Sequence, residues 1–371
     1  PPCEMDDVSW VKPGKVSWDW WNNLDLFGVD FSAGVNTDSY LHMIDFAAEY
    51  GLQYIILDEG WSDTRDVMRT APDIDLEKIV AHGKQKGVGV ILWVTWNGLD
   101  RKMEEALDAW SKLGVAGVKV DFMQRDDQWM MDFYWRAAEA TARRKMLIDF
   151  HGACKPTGLR RTFPNVISYE GVTGLEQYKW TDEITTPDQE LTLPFIRMVA
   201  GPMDFTPGGM RNADRRSFKP VFDHPMTQGT RCHQLAMYVI FESPLQMLAD
   251  SPSEYRRQPE CMKFLSQVPT TWDDTRVLHA KVGDVIALAR RSGEDWYVAA
   301  MTDWTPRELD LDLSFLPSGA FQLEAWADGV NAARNANDFR RESRQVSQTD
   351  QLKVELAPGG GWAGWLRPAA R

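Results

Sequence analysis

The sequence predicts an α/β protein: a (β/α)8 TIM barrel followed by a small antiparallel β domain. Three observations carry this reading. From about residue 15 to about residue 255, eight short β-rich runs alternate with longer amphipathic stretches, and that length and rhythm suit such a barrel. Several of the runs are apolar nearly throughout, as strands buried on both faces of a parallel sheet are. From about Thr275 the helical stretches stop and only short strand patterns continue,. An open doubly wound sheet is the alternative, but no glycine-rich phosphate fingerprint follows the first run,.

The eight runs are residues 15–21, 54–61, 88–96, 115–123, 145–152, 165–172, 197–205 and, less sharply marked, 244–250. Between the first two, Tyr40, Leu41, Ile44, Ala47 and Ala48 recur at helical spacing, with Thr37 or Asp38 placed to cap the start,. Residues 73–86, 100–113 and 128–144 repeat that pattern, and Gly51, Gly87 and Gly114 stand where glycines end helices just ahead of a strand,. After Thr275, residues 277–288 read as two strands around a Gly283-Asp284 turn, and 296–301, 308–313, 321–326 and 352–355 continue as short strands,. The expected division is a barrel over 1–273 and a β-sandwich-like domain over 274–371, in keeping with a chain too long for one core.

Composition narrows the function classes. A net charge of −13 argues against nucleic acid or an anionic membrane surface as partner, since both attract an excess of Lys and Arg. No apolar run reaches the length needed to cross a bilayer,. Cys3, Cys154, Cys232 and Cys261 are scattered without a CxxC pair, which argues against zinc and redox motifs. The 17 Trp residues are an unusual number; an indole face stacks well on a sugar ring, although each Trp could equally belong to a core. No signal peptide is visible, and a chain opening on Pro1-Pro2 is expected to be a processed product or a fragment,.

In a barrel of this kind, catalytic groups sit at the C-terminal ends of the strands. The fourth run gives Lys119-Val120-Asp121, whose period-2 spacing points Lys119 and Asp121 to the same side,. A lysine beside a carboxylate favours the ionised form that a nucleophile needs; the competing reading is a structural ion pair. The sixth run ends at Glu170, and Glu176 follows in its loop. Glycoside hydrolysis requires such a separated pair, one carboxyl group attacking the anomeric carbon and the other protonating the leaving oxygen. The second run ends in Asp58-Glu59-Gly60-Trp61, carboxylates to accept sugar hydroxyls and an aromatic wall, or simply a helix-capping turn. Trp18, Trp20, Trp93 and Trp96 end the first and third runs and could line the same mouth. His151 ends the fifth as a substrate contact or a core histidine, and the Met203–Gly209 stretch closes the seventh with a polar glycine-rich loop.

Taken in order, Leu57-Asp58-Glu59-Gly60-Trp61, Gly117-Val118-Lys119-Val120-Asp121-Phe122 and Glu170-Gly171-Val172-Thr173-Gly174-Leu175-Glu176 make the chain resemble glycoside hydrolase family 97, whose barrel is related to the α-galactosidase clan. The resemblance covers nearly the whole chain. It implies two mechanistic branches: inverting α-glucosidases that lack an Asp nucleophile on strand four, and retaining enzymes, chiefly α-galactosidases, that carry it. Asp121 and the pair His151-Gly152, where the inverting branch has a glutamate, point to the retaining branch. By this resemblance Asp121 is the nucleophile and Glu176 the acid/base; Asp58, Glu59, Trp61, Trp18, Trp20, Trp96, Lys119 and His151, read from their places at the strand ends, are the candidate substrate contacts. Glu170, and Glu176 with it, would bind the family's calcium ion, although two acids alone do not make a calcium site. The implied substrate is a galactoside or oligosaccharide, the implied location periplasmic or secreted, and the oligomeric state is left open. Retention implies carboxyl groups about 5–5.5 Å apart, against about 6.5–9.5 Å for inversion. Family members carry a β-sandwich domain ahead of the barrel, which this chain is expected to lack. An α-glucosidase of the same family and a non-catalytic sugar-binding remnant are the alternatives.

Overall fold

Residues 54–57 and 90–94 are mostly Ile, Val and Leu with no polar alternation, the composition of strands covered on both faces,. In the computed structural model, which describes residues 1–369, they do form such strands. Strand β1 (Gly14–Ser17) pairs in parallel with β2 (Tyr54–Leu57), and β3 (Gly89–Thr95), β4 (Gly117–Asp121), β5 (Leu147–Phe150) and β6 (Val166–Tyr169) follow in sequence order. On its other side β1 pairs in parallel with β7 (Leu245–Leu248). This is the expected parallel barrel sheet with one position altered. Residues 197–205 form no strand: a 3₁₀ turn (Met198–Ala200) leads to Gly201 at φ +127° and Pro202, which has no N–H for a ladder,. That segment keeps one rung beside β6, from Asp204 N to the Tyr169 carbonyl at 2.8 Å.

The helices α1 (Thr37–Glu49), α2 (Leu76–Lys86), α3 (Trp96–Leu113) and α4 (Gln128–Arg143) bury their apolar faces. The cap of α1 is Asn36, one residue before the expected Thr37 or Asp38; its side chain accepts the Ser39 N–H at 3.0 Å. Gly87 and Gly114 end α2 and α3 in the left-handed region, and Gly51, at φ +67°, follows Tyr50 at the end of α1. Helix α3 starts four residues earlier than expected because Thr95 caps it, accepting from Gly98 N at 3.2 Å, and it breaks at Lys102.

Pro1–Val172, Ala200–Thr206 and Ser243–Glu254 form one compact unit, which contains this sheet. Thr173–Val199, Pro207–Glu242 and the described residues from Tyr255 onward form the second. The expected boundary at 273/274 coincides with the first strand of the C-terminal sheet, β8 (Asp274–Lys281), yet the unit built on that sheet reaches further back. The reason is α5 (Arg231–Ile240), which packs on the sheet so closely that a Cβ at Gly361 would lie 2.4 Å from the His233 nitrogen. With α6 (Pro259–Gln267), the unit holds β9 (Val285–Ser292), β10 (Asp295–Thr302), β11 (Arg307–Asp312), β12 (Ala320–Asp328), β13 (Phe339–Ser347), β14 (Gln351–Leu356) and β15 (Gly361–Pro368). Six strands make one antiparallel sheet in the order β8-β9-β10-β15-β12-β13. The hairpin-like pair β11–β14 covers one face of it, burying Leu309, Leu311, Leu352, Val354 and Leu356 against Val298, Leu323 and Trp362. Strands β13 and β15 were not expected, the first being rich in Arg and the second interrupted by glycine.

Candidate active site

Parallel register sets the layers at the C-terminal end of the first sheet. Lys119 pairs with Trp93 on one side and Asp149 on the other, and Asp121 pairs with Thr95. Side chains two residues apart share a face, so Lys119 and Asp121 on β4, and Asp149 and His151 at the end of β5, rise through the same layers.

Asp121 ends β4 half-buried. Its Oδ2 accepts the Trp93 indole N–H at 2.9 Å, and its Oδ1 accepts the Phe122 backbone N–H at 2.5 Å. The second bond requires Phe122 at φ +63°, a left-handed conformation that non-glycine residues adopt at some cost,. Gly152, at φ +54°, lies alongside: a Cβ there would stand 2.9 Å from Asp121 Oδ1. The carboxylate is thus held in one orientation, with glycine clearing the space next to it.

Lys119 is not the direct partner of Asp121. Its ammonium, 2% exposed, bonds Asp58 Oδ2 at 2.7 Å. Burial alone would push this lysine down, but the carboxylates of Asp58, Asp204 and Asp121 together hold it well above its ordinary value,. Lys119 therefore acts on Asp121 through space as a fixed positive charge. Asp58 also accepts the Trp18 indole N–H at 2.7 Å and the Glu59 N–H at 2.8 Å. The expected hydroxyl acceptor is instead chiefly a buried counterion, which the low-dielectric interior demands for a lysine this deep.

Behind Asp58 lies Asp19, wholly buried, accepting the Tyr40 hydroxyl at 2.7 Å. Burial and the neighbouring Asp58 charge push its carboxyl up to about 7, against the hydrogen bond from Tyr40. The folded state keeps this proton up to about pH 7, whereas an unfolded carboxyl releases it near 3.8. Between those values the folded state binds more protons, so this contribution to stability is full below the lower pH and is lost as pH rises through the upper one. Asp19→Asn is expected to remove that slope. Melting temperatures across this window should then converge on, or rise above, wild type towards the upper end; an unchanged pH profile would refute the assignment.

The tryptophans divide. Trp61 was expected to stack on sugar, yet it is 1% exposed, donates to the Trp93 carbonyl at 2.6 Å and packs edge-on against Trp110 of α3. It is core. Trp18 is equally hidden, lying under Trp20 and with Lys119 Nζ 4.6 Å from its ring centre. Trp96, half-buried, packs edge-on against Phe133 with Arg125 over its ring. Trp20 also keeps a partly open face, and its indole bonds the exposed Glu59 carboxylate. Glu59 is held above the usual glutamate value, first by desolvation, then by the charges of Asp58 and Asp121, with the Trp20 bond opposing. This places Glu59 within the electrostatic reach of Asp121.

His151 is buried beyond β5, with Nε2 2.6 Å from Asp204 Oδ2 and Nδ1 3.7 Å from Glu170 Oε1. Burial and Lys119 would lower it, but Glu170 and Asp204 raise it well above the ordinary histidine value. Asp149 is driven up by burial and by Asp204, whose own carboxyl is held down, against burial, by His151. Asp149, His151 and Asp204 are the one group of three side chains among the described residues whose ligand atoms lie close enough together to hold a metal. The buried ammonium of Lys119 and the raised imidazole make it an ion-paired network that disfavours a further cation. Asp149, Asp204 and Asp19 were not singled out from sequence; the alternation Asp149-Phe150-His151 was the available sign.

Glu170, 9% exposed, accepts the Gly152 N–H on Oε2 at 2.6 Å. A calcium ion takes six to eight oxygens, and no group of three acidic or histidine ligands forms around Glu170 among the described residues. No step of the mechanism for this chain runs through a metal. Glu176 belongs to the second unit, half-buried on a 3₁₀ turn (Leu175–Lys179). No helix among the described residues is long and apolar enough to cross a membrane.

Comparison with known proteins adds independent findings. Residues 18–172 match the family model described as Glycoside hydrolase 97, and 271–367 match the model described as Glycosyl-hydrolase 97 C-terminal, oligomerisation. A retaining alpha-galactosidase from Bacteroides thetaiotaomicron is 48% identical over 98% of this chain and 55% of its own length. A glycoside hydrolase family 97 enzyme from Pseudoalteromonas sp. strain K8, solved with acarbose, superposes with a TM-score of 0.89 at 33% identity, covering 100% of this chain and 62% of that one. A beta-arabinopyranosidase structure gives 0.81 at 26% identity over 98% of this chain and 57% of its own. The chain spans about half the length of the curated relatives it matches.

Proposed function

This chain belongs to glycoside hydrolase family 97, and from that membership we propose that it acts as a retaining, exo-acting α-galactosidase. The observation that carries the reading is Asp121: a carboxylate at the end of β4, fixed by Trp93 and Phe122, with Gly152 leaving room beside it. The name of the Bacteroides relative, identical at nearly half the positions, supports the same choice.

In this mechanism Asp121 attacks C1 of the galactosyl residue as the glycosidic bond breaks, and Glu176 gives its proton to the departing oxygen. Glu176 then takes a proton from water as that water attacks C1, the bond to Asp121 breaks, and galactose leaves in the α configuration. Lys119 keeps positive charge behind the nucleophile, while Glu59 and Trp20 meet sugar hydroxyls and a ring face,. An exported location belongs to the same proposal and is read out by cell fractionation.

The test follows anomers by NMR while p-nitrophenyl α-galactoside and the α-glucoside are hydrolysed. α-Galactose is expected to appear first, with the galactoside preferred. Prompt release of the β-anomer would exclude retention, and a preference for the glucoside would make the chain an α-glucosidase.

A further inference from the structure

Glu176 sits on neither a strand nor a long helix, so its direction depends on what grips its short turn. In a 3₁₀ turn, residues three apart eclipse. Leu175 and Tyr178 do so on one side and are wholly buried, while Glu176 and Gln177 between them are half-buried. Fixing Tyr178 therefore fixes the rotation of the turn, and with it the direction in which Glu176 leaves the backbone.

Tyr178 is fixed by a chain of buried bonds. Its hydroxyl donates to Glu190 Oε1 at 3.1 Å, Glu190 Oε2 lies 3.0 Å from His233 Nε2, and His233 Nδ1 donates to the Gly360 carbonyl at 3.0 Å. Tyr178, Glu190 and His233 are all 0% exposed. The chain ends on rigid parts: His233 lies in the first turn of α5, capped by Thr230, and Gly360 directly precedes β15 of the C-terminal sheet. The flanks of the turn are tied down as well, Thr185 Oγ1 donating to Gly174 O at 2.9 Å, Gln189 Nε2 to Thr173 O at 3.2 Å and Gln228 Nε2 to Asp182 O at 2.8 Å. A buried Glu–His pair is costly to assemble merely to close a loop, whereas placing a proton donor demands this kind of support.

We propose that Tyr178, Glu190 and His233 are positioning residues for Glu176, a hydrogen-bonded chain that sets the proton-donating carboxyl from the C-terminal β-sheet. The proposal deepens the α-galactosidase reading and rests on Glu176 being the acid/base. It gives the C-terminal sheet a part in catalysis.

The test uses the dependence of acid catalysis on the leaving group. Phenoxide leaves poorly without a proton, whereas fluoride leaves readily, so kcat/KM for phenyl α-galactoside reports on Glu176 and kcat/KM for α-galactosyl fluoride largely does not. Tyr178→Phe is expected to lower the first by about 10–100-fold and to leave the second within about threefold. Glu190→Gln, nearly isosteric, takes the same assay and keeps the question answerable if Tyr178→Phe does not fold. Equal losses on both substrates, or no loss, would overturn the proposal, since a purely structural role lowers both with the folded fraction. Glu176→Ala is the control. If it shows the split and Tyr178→Phe does not, positioning alone fails; if Glu176→Ala shows none, the acid/base assignment falls and this proposal with it.

Discussion

Asp121→Ala is expected to lower kcat on aryl α-galactosides by on the order of 10⁴-fold or more, the scale seen when a covalent nucleophile is deleted from an otherwise intact site. The loss should be chemical rather than structural. Asp121 is half-buried, and its two partners, the Trp93 indole and the Phe122 amide, are left as neutral donors rather than as an uncompensated charge. Asp58, not Asp121, is the direct ion-pair partner of Lys119, so that pair survives the substitution. Azide can enter the vacated space and attack C1 from the side Asp121 occupied. The product is then β-galactosyl azide, formed by a single inversion. Glu176→Ala, in contrast, keeps the covalent step, and azide attacking the galactosyl-enzyme yields the α-azide. NMR of the two azides assigns both roles in one experiment. Activity within tenfold of wild type, or an α-azide from Asp121→Ala, would refute the nucleophile.

The parallel strands could be read from sequence because each carries a short apolar run in a regular place, and the glycines ending α1, α2 and α3 punctuate them. The false strand at 197–205 shows the limit of that reading. Its apolar residues suit a strand, but Gly201 and Pro202 break the backbone, and only Asp204 keeps a rung beside β6. The missed β13 has the opposite character: Arg340, Arg341, Glu342 and Arg344 look like a solvated loop, yet they pair along β12, where Arg341 meets Glu324.

The site was legible in its acids and illegible in its partners. Alternation put Lys119 and Asp121 on one face, but which carboxylate meets the ammonium is set by the neighbouring strands, and it is Asp58 at the end of β2. Rotamers divided the tryptophans in the same way. Trp61 and Trp20 are equally plausible stacking platforms by position, yet one turns inward to the Trp93 carbonyl and the other outward to Glu59. Asp19 could not be distinguished from sequence because its significance lies in being wholly buried beside a second carboxylate.

Gly152→Ala is expected to cost about 10²–10³-fold in kcat while lowering stability by only about 1–2 kcal/mol, the price of a left-handed backbone for an L side chain. The asymmetry comes from what the new Cβ would meet. Its nearest neighbour is Asp121 Oδ1 at 2.9 Å, the end of a side chain that can swing away; the Phe122 backbone atoms at 3.0–3.1 Å need yield only slightly. The fold absorbs the methyl group and the nucleophile does not. A covalent trap measures this directly: a 5-fluoro galactosyl fluoride should label wild-type Asp121 quickly and the variant far more slowly, at similar melting temperatures. Labelling at the wild-type rate would show that Asp121 keeps its orientation and that Gly152 is only a turn residue. A side chain at 152 would begin in the space that the Asp121 carboxylate occupies, so any residue larger than glycine there is expected to displace the nucleophile of this chain.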